Sequence, residues 1–350
     1  MKISSSAPTR VDLEGGTIDI WPLYLFHAGA TTVNFAIAPR TYCHIETRDD
    51  DRITLISKDR DERVETTVAR LDELASDRKL ALVSKLVHFF RPQTGFTLTT
   101  ESHAPAGAGL AGSSSLNIAI IGALNRLCGD RYPQSRFITI AANIETTVIR
   151  VPAGFQDYYP ALYGGVSRIS FAPDGICREP ITVDAATLES RFALLYTGEP
   201  RNSGTNNWDI FKRHIDELKT DAPVQPLNNL FDGIRDSAAC VRDALAYNDW
   251  DALSVVMQKA FPQRRQLAPT ITTPHMDKLI AVALAHGAEA AKVCGAGGGG
   301  CIAFLCADGR RAHVEQALNA AFTEQDIKDG AKVLEWSLAA AGLTVEMQQN

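Results

Sequence analysis

The sequence predicts a protein of two domains, each mixing β-strands with helices. Three observations carry this expectation. From Thr31 to Thr47 large apolar residues alternate with polar or small ones, Val33, Phe35 and Ile37 against Asn34 and Ala36, as in antiparallel strands. A strand around Phe96 and Leu98 then passes through the small-residue loop Pro105-Ala-Gly-Ala-Gly-Leu-Ala-Gly-Ser-Ser-Ser115 into the apolar-periodic segment Leu116 to Leu127. Near Pro180 to Glu189 the composition shifts to a polar connection, which divides the chain into residues 1–188 and 189–350.

Taken in order, residues 7–19 begin as a short strand with Val11 and Leu13 on one face. They break at Gly15-Gly16, so that Arg10 and Asp19 bracket a turn. Tyr42 to Ile45 and Ile53 to Ile56 extend the β region between charged turns. Asp61 to Phe90 reads as a charged, then amphipathic, helical stretch, with Leu71, Leu74, Leu80, Leu82, Leu86 and Phe89 at roughly helical spacing. Arg136 to Ile149 reads as a further helix, and Gly164-Gly165 returns the chain to strand.

The second half opens with a strand at Phe192 to Tyr196 and a polar loop, Thr197 to Asn207. A mostly helical region follows from Leu227 to Leu284, broken at Pro269 and Pro274. Gly295, Gly297 and Gly300 satisfy G-x-G-x-x-G literally, but the strand-like Cys301 to Cys306 follows where a dinucleotide fingerprint must open a helix. The run therefore predicts a hairpin whose backbone closely approaches another loop or a phosphate. A helix over Ala312 to Phe322 and the final segment, read as a strand, are expected to complete the second domain.

With 350 residues, 45% hydrophobic and 22% charged, the chain has the make-up of a globular protein with a substantial core. A formal charge of -6 and no basic run interleaved with aromatics argue against nucleic-acid binding. The amino terminus has no continuous apolar core and no apolar run approaches ~18 residues, so a cytoplasmic location without membrane contact is expected. Seven scattered cysteines with no C-x-x-C pair look like reduced, mostly buried thiols.

The chemistry concentrates around the Pro105 to Ser115 loop. Small side chains leave its backbone N–H groups unobstructed and deliver them to a helix N-terminus, whose dipole favours a phosphate. Gly107 and Gly112 have P-loop spacing, but Ser113 stands where that pattern needs a lysine, so positive charge must come from elsewhere. A serine-capped turn starting an ordinary core helix is the competing reading.

Four further residues stand out. Glu145 is the only carboxylate in its apolar helix, and either coordinates a cation, is held by a partner or lies on the wet face. Asp157 is isolated among aromatics and glycines, as suits a general base or an Asx-turn residue. Arg10 reads as a functional cation or a surface partner of Asp12 or Glu14, and Asp19 as a ligand or a cap.

Three motifs, Ala7-Pro-Thr-Arg10 through Gly-Gly-Thr-Ile-Asp19, Pro105 through Ser115, and Lys292-Val-Cys-Gly-Ala-Gly-Gly-Gly-Gly300, stand in the order seen in the GHMP kinase superfamily. The resemblance spans nearly the whole chain. The first motif, Gln156-Asp157 with Tyr163-Gly-Gly165, and Thr273-Pro-His-Met-Asp277 resemble the sugar 1-kinases within it.

The resemblance implies an α+β fold with a ribosomal protein S5 domain 2-like N-terminal domain, a ferredoxin-like C-terminal domain and an active site between them. It implies ATP on Pro105, Gly107, Ala108, Gly109, Leu110, Ala111, Gly112, Ser113, Ser114 and Ser115, with Mg²⁺ on Ser113 and Glu145. Ser114 replaces Ser113 if the loop is shifted by one residue. Asp157 and Arg10 would be catalytic. Glu14, Gly16, Thr17, Asp19, Asp157, Tyr163, Arg201, Gly297 and Gly298 would face a sugar or sugar phosphate. The implied reaction transfers the γ-phosphoryl group to an anomeric hydroxyl of a heptose 7-phosphate, in a monomer or homodimer. Arg201, Lys212 or Arg213 would bind the distal phosphate. A hexose or uronic acid is the alternative acceptor, and a silent sugar-binding protein on the same fold is the rival of another class.

The chain departs from the superfamily at two points. Ala111 and Gly112 replace the glycine and first serine of G-L-G-S-S, and Gly-Gly-Thr-Ile-Asp19 replaces G-G-G-T-D.

Overall fold

The computed structural model describes residues 1–200, 204–220, 226–268 and 270–349. The chain opens with β1 (Lys2–Glu14), β2 (Thr31–Thr47), β3 (Arg52–Ser57) and β4 (Glu62–Thr67), followed by α1 (Ala81–Phe90), β5 (Phe96–Ser102), α2 (Gly112–Leu127), α3 (Phe137–Ile149), α4 (Tyr158–Tyr163), β6 (Val166–Ala172) and β7 (Gly175–Ile181). β2 organises this half because it is long enough to serve three neighbours. It pairs with β1 along its length, with β6 through Thr31–Phe35 and with β5 through Thr41–Thr47.

Apolar side chains on the helix-facing side of this sheet, such as Ile45, Leu55 and Leu98, pack against Leu86, Ile118, Ile121 and Ala141 of the helices. Complete removal of such side chains from water stabilises the fold by roughly 1.5–3 kcal/mol each.

The second half contains α5 (Ala185–Arg191), β8 (Phe192–Tyr196), α6 (Gly204–Leu218), α7 (Pro226–Ala246), α8 (Trp250–Arg265), α9 (Pro274–Ala285), β9 (Ala288–Val293), β10 (Cys301–Cys306), α10 (Arg311–Ala321), α11 (Glu324–Lys328) and β11 (Lys332–Leu334). Its sheet runs β11-β8-β10-β9, all antiparallel, the strand order of a ferredoxin-like domain. The two sheets share one core: Val11, Leu13, Val33 and Phe35 of the first meet Phe192, Leu194, Leu253 and Met257 of the second half.

Two stretches differ from the sequence expectation. Glu62–Thr67 is a strand paired with β3, not the start of a helix, and Val68–Ser76 is a 3₁₀ turn. The β-branched Val64, Thr66 and Thr67 suit a pleated edge, and the surrounding charges obscure their period of two. The final strand, β12 (Thr344–Gln348), does not complete the second sheet; it crosses back and pairs with β1 through Lys2–Ser6. Leu343 and Val345 pack there against the first core, an apolar contact no local pattern announces.

Candidate active site

The site grows from the ends of β1, β5 and α2. β5 ends at Ser102 and the loop doubles back with Ala108 N–H donating to Pro105 O at 3.1 Å. Ala111 caps α2 in the left-handed conformation, φ 60°, and makes no side-chain capping bond. The first helical bond in this turn runs from Ser115 N–H to Ala111 O at 2.9 Å. Gly112, Ser113 and Ser114 thus bring the positive end of the helix to the wall of a cavity of about 630 Å³.

The third motif braces this loop. Cys301 N–H donates to Ala108 O at 2.7 Å, and a Cβ on Gly300, whose φ is +83°, would stand 2.7 Å from the same oxygen. The expected close approach of one glycine run to another loop is present.

Arg10 is buried at the floor of the cavity. Its Nε and Nη2 donate to Asp157 Oδ1 at 2.9 and 2.7 Å, and its Nη1 donates to Gly109 O at 2.7 Å. Burial opposes the Arg10 charge, but Asp157 and Asp12 outweigh it and hold its pKa above the ordinary arginine value. Both bonds to Asp157 reach the same oxygen, so Oδ2 is not engaged by Arg10. Asp157 begins α4 without a side-chain capping bond, which removes the Asx-turn reading.

Glu145, buried on α3, accepts from three hydroxyls: Ser113 at 2.9 Å and Ser114 at 3.4 Å from α2, and Tyr158 at 2.7 Å from α4. Burial raises its pKa, while the Tyr158 and Ser113 bonds work against that rise. Asp19, 3% exposed, is pushed up to about 7 by burial and by the charge of Asp157. Its Oδ1 accepts from Thr17 N–H at 3.2 Å and its Oδ2 from Gln156 N–H at 3.0 Å. The preceding turn depends on Gly15, φ +88°, where a Cβ would lie 2.2 Å from Thr31 O.

The fold therefore gathers Arg10, Gly16, Thr17, Asp19, the loop from Pro105 to Ser114, Glu145 and Asp157 around one cavity. Ser115 instead bonds inward, to Ala7 O and Thr41. Glu14, Tyr163, Gly297 and Gly298 do not line the cavity. Glu14 is buried against Lys292, Tyr163 lies under the Arg178 guanidinium, and Gly297 and Gly298 pack on the backbone of Ile271 and Thr270. Lys212 pairs with Asp209 and Arg213 donates to Leu267 O. Arg201 and Pro269 lie outside the described residues.

Sequence reasoning missed Arg264. It lies in the last turn of α8 and lines the cavity, donating to Gly16 O at 2.9 Å and Gly295 O at 2.6 Å. It also missed Ser57 at the end of β3 and Asp59 and Arg60 of the β3–β4 turn, which line the same cavity. Only the contact between distant segments identifies these residues; each is an ordinary polar residue in its local context.

A glycine-rich loop opening a helix, a buried arginine bonded both to that loop and to a partly exposed aspartate, and a ferredoxin-like second sheet are the features of a two-domain small-molecule kinase. Residues 80–165 match the GHMP kinases N terminal domain and residues 241–324 match the GHMP kinases C terminal family. The chain carries the N-terminal and C-terminal domains of GHMP kinases and is a phosphotransferase.

Among its relatives, D-glycero-alpha-D-manno-heptose 7-phosphate kinase of Campylobacter jejuni is 24% identical over 325 residues, covering 90% of this chain and 93% of that one. Two solved structures share the fold. A galactokinase of Lactococcus lactis complexed with galactose superposes with a TM-score of 0.80 at 17% identity, covering 98% of this chain and 95% of that one. A D-glycero-D-manno-heptose 1-phosphate kinase from Bacteriodes thetaiotaomicron gives 0.77 at 22% identity, covering 99% and 100%.

Proposed function

We propose that the protein transfers the γ-phosphoryl group of ATP to the anomeric hydroxyl of a sugar, with a heptose 7-phosphate as the leading acceptor. The observation that carries this reading is the Arg10–Asp157 pair, placed between the loop at Gly109 and the turn that holds Asp19. Phosphoryl transfer needs positioning and charge neutralisation more than covalent chemistry. The N–H groups of Gly112, Ser113 and Ser114 hold phosphate oxygens, and Arg10 offsets the charge of the transferred group. The sugar hydroxyl attacks the γ-phosphorus, the bond to the bridging oxygen breaks, ADP leaves and Asp157 Oδ2 takes the hydroxyl proton. Asp19, with its pKa near neutrality, hydrogen-bonds sugar hydroxyls as donor or acceptor.

The donor set around Glu145 suits Mg²⁺. One carboxylate and the hydroxyls of Ser113 and Ser114 are hard oxygen ligands, and Mg²⁺ in kinases takes one or two carboxylates with substrate phosphates. When bound there, the ion supplies charge neutralisation at the phosphates.

Two observations support a sugar. The acceptor side is lined by Asp12, Thr17, Asp19, Gln156 and Arg264, a polar set matched to several hydroxyls, and the heptose phosphate kinase of Campylobacter jejuni is related over most of both chains. An ADP-release assay over heptose 7-phosphate, hexoses and uronic acids tests the reading. Turnover should be highest with the heptose phosphate, and a preference for another sugar reassigns the substrate. Absence of turnover with every acceptor favours a silent binder. Asp157→Asn should lower kcat by roughly 10²–10⁴-fold while ATP still binds; retention of wild-type turnover would sink the assignment.

A further inference from the structure

Three charged residues occupy alternate positions at the end of β1: Arg10, Asp12 and Glu14. All are buried, at 1%, 0% and 1% exposure. Arg10 is held by Asp157, as described above. Lys292, on β9 of the other sheet and 1% exposed, brings its ammonium 3.3 Å from Glu14 Oε2 and 3.8 Å from Asp12 Oδ1. A row of alternating charge thus runs from Asp157 through Arg10, Asp12 and Lys292 to Glu14, across the seam between the sheets. Such charges out of water depend on one another, because the low local dielectric strengthens both attraction and any imbalance.

Asp12 stands between two cations and is electrostatically linked to both, to Lys292 at the distance given and to Arg10, whose pKa it helps to raise. We infer that Lys292 is a positioning residue for the phosphoryl-transfer centre: by neutralising Asp12 and Glu14 it keeps Arg10 directed at Asp157 and Gly109. This rests on the kinase reading above. Without Lys292, Asp12 and Glu14 stay buried in the seam with one cation fewer, and Asp12 is the one of the two that acts on Arg10. The guanidinium is then drawn toward Asp12, and Asp157 loses the fork that orients it. Asp19, Arg264 and Cys294 are also charged or titratable groups at this junction, and among the described residues Lys292 is the cation whose ion pairs join Asp12 to Glu14.

The decisive comparison uses Lys292→Met, Lys292→Arg, Asp12→Asn and the double variant Lys292→Met with Asp12→Asn, in the full chain. Displacement of a reacting group by about 1 Å costs on the order of 10²-fold in rate. Lys292→Met should therefore lose between about tenfold and a hundredfold in kcat while KM for ATP changes little, and Lys292→Arg should recover most of the loss.

Removing the Asp12 charge takes away the carboxylate that would draw Arg10 aside, while Glu14 does not act on Arg10, so the double variant should match Asp12→Asn in kcat. A double variant tenfold or more slower than Asp12→Asn overturns the inference, and this comparison decides even if Lys292→Met alone does not fold. A crystal structure of Lys292→Met, or of the double variant if the single does not fold, gives a test independent of turnover. In the single variant Arg10 should have moved from Asp157 toward Asp12, and in the double variant it should remain on Asp157. Arg10 unmoved in the former or displaced in the latter refutes the role. Failure of the wild-type chain to phosphorylate any acceptor refutes the kinase reading instead, and leaves the crystallographic prediction standing.

Discussion

Asp19 shows how a residue legible as a turn aspartate acquires a property that its neighbours in sequence do not announce. Burial and the Asp157 charge lift its pKa to about 7, against the bonds from the Thr17 and Gln156 N–H groups. In the unfolded chain it titrates near the ordinary value of about 3.9. Because the folded state binds this proton more tightly, the associated stability is complete below about pH 4 and is lost as pH rises through about 7. Asp19→Asn removes the penalty of burying the anion. The amide offers one acceptor to the two N–H groups that Asp19 holds, a loss present at every pH, so the melting temperature of the variant relative to wild type should be lowest near pH 4 and rise toward pH 8. Melting curves across pH 4–9 check this, and a difference independent of pH would refute the titration. The sequence placed Asp19 beside a glycine turn, but the charge that raises its pKa comes from Asp157, 138 positions away in the chain.

At the scale of elements, the strand, loop and helix from Phe96 to Leu127 were readable because period-two and helical patterns flank an unmistakable glycine run. The two departures inside the loop have different structural consequences. Gly112 begins the helix with open space where a Cβ would be, so the glycine is not sterically required there. Ala111 adopts φ 60°, a region that costs an L-residue roughly 1–2 kcal/mol and glycine far less. Ala111→Gly should therefore stabilise the protein by about 1 kcal/mol, seen as a higher denaturant midpoint with unchanged m-value; a lower midpoint would mean that the alanine methyl makes contacts worth more than the strain. The same scale holds the misreading of Glu62–Thr67, where charge hid a short edge strand.

For the whole molecule, the site depends on contacts that join the two sheets. Arg264 ties the Gly16 turn of the first motif to Gly295 of the third. Charge-assisted hydrogen bonds of this kind contribute about 1.5–3 kcal/mol each. Arg264→Ala should raise KM for the acceptor by roughly tenfold or more, with ATP affinity changed much less because the Ala108–Cys301 brace remains. Isothermal titration with each ligand separates the two effects, and equal losses for both would point to general unfolding of the site. The return of β12 to β1 belongs to this scale too, since a strand's partner is chosen by what surface remains to be covered.

The sequence by itself determined the family resemblance, the mixed fold, the phosphate-type loop and the candidates Arg10, Glu145 and Asp157, because each is written in local spacing or in the order of motifs. Tertiary structure alone decided that Glu14 serves Lys292, that Arg264 lines the cavity, that Asp19 titrates near neutrality and that the last strand joins the first sheet. The physical reason is common to all four. Burial, charge coupling and backbone approach are set by residues far apart in the chain, and their energies exist only once folding has brought those residues into contact.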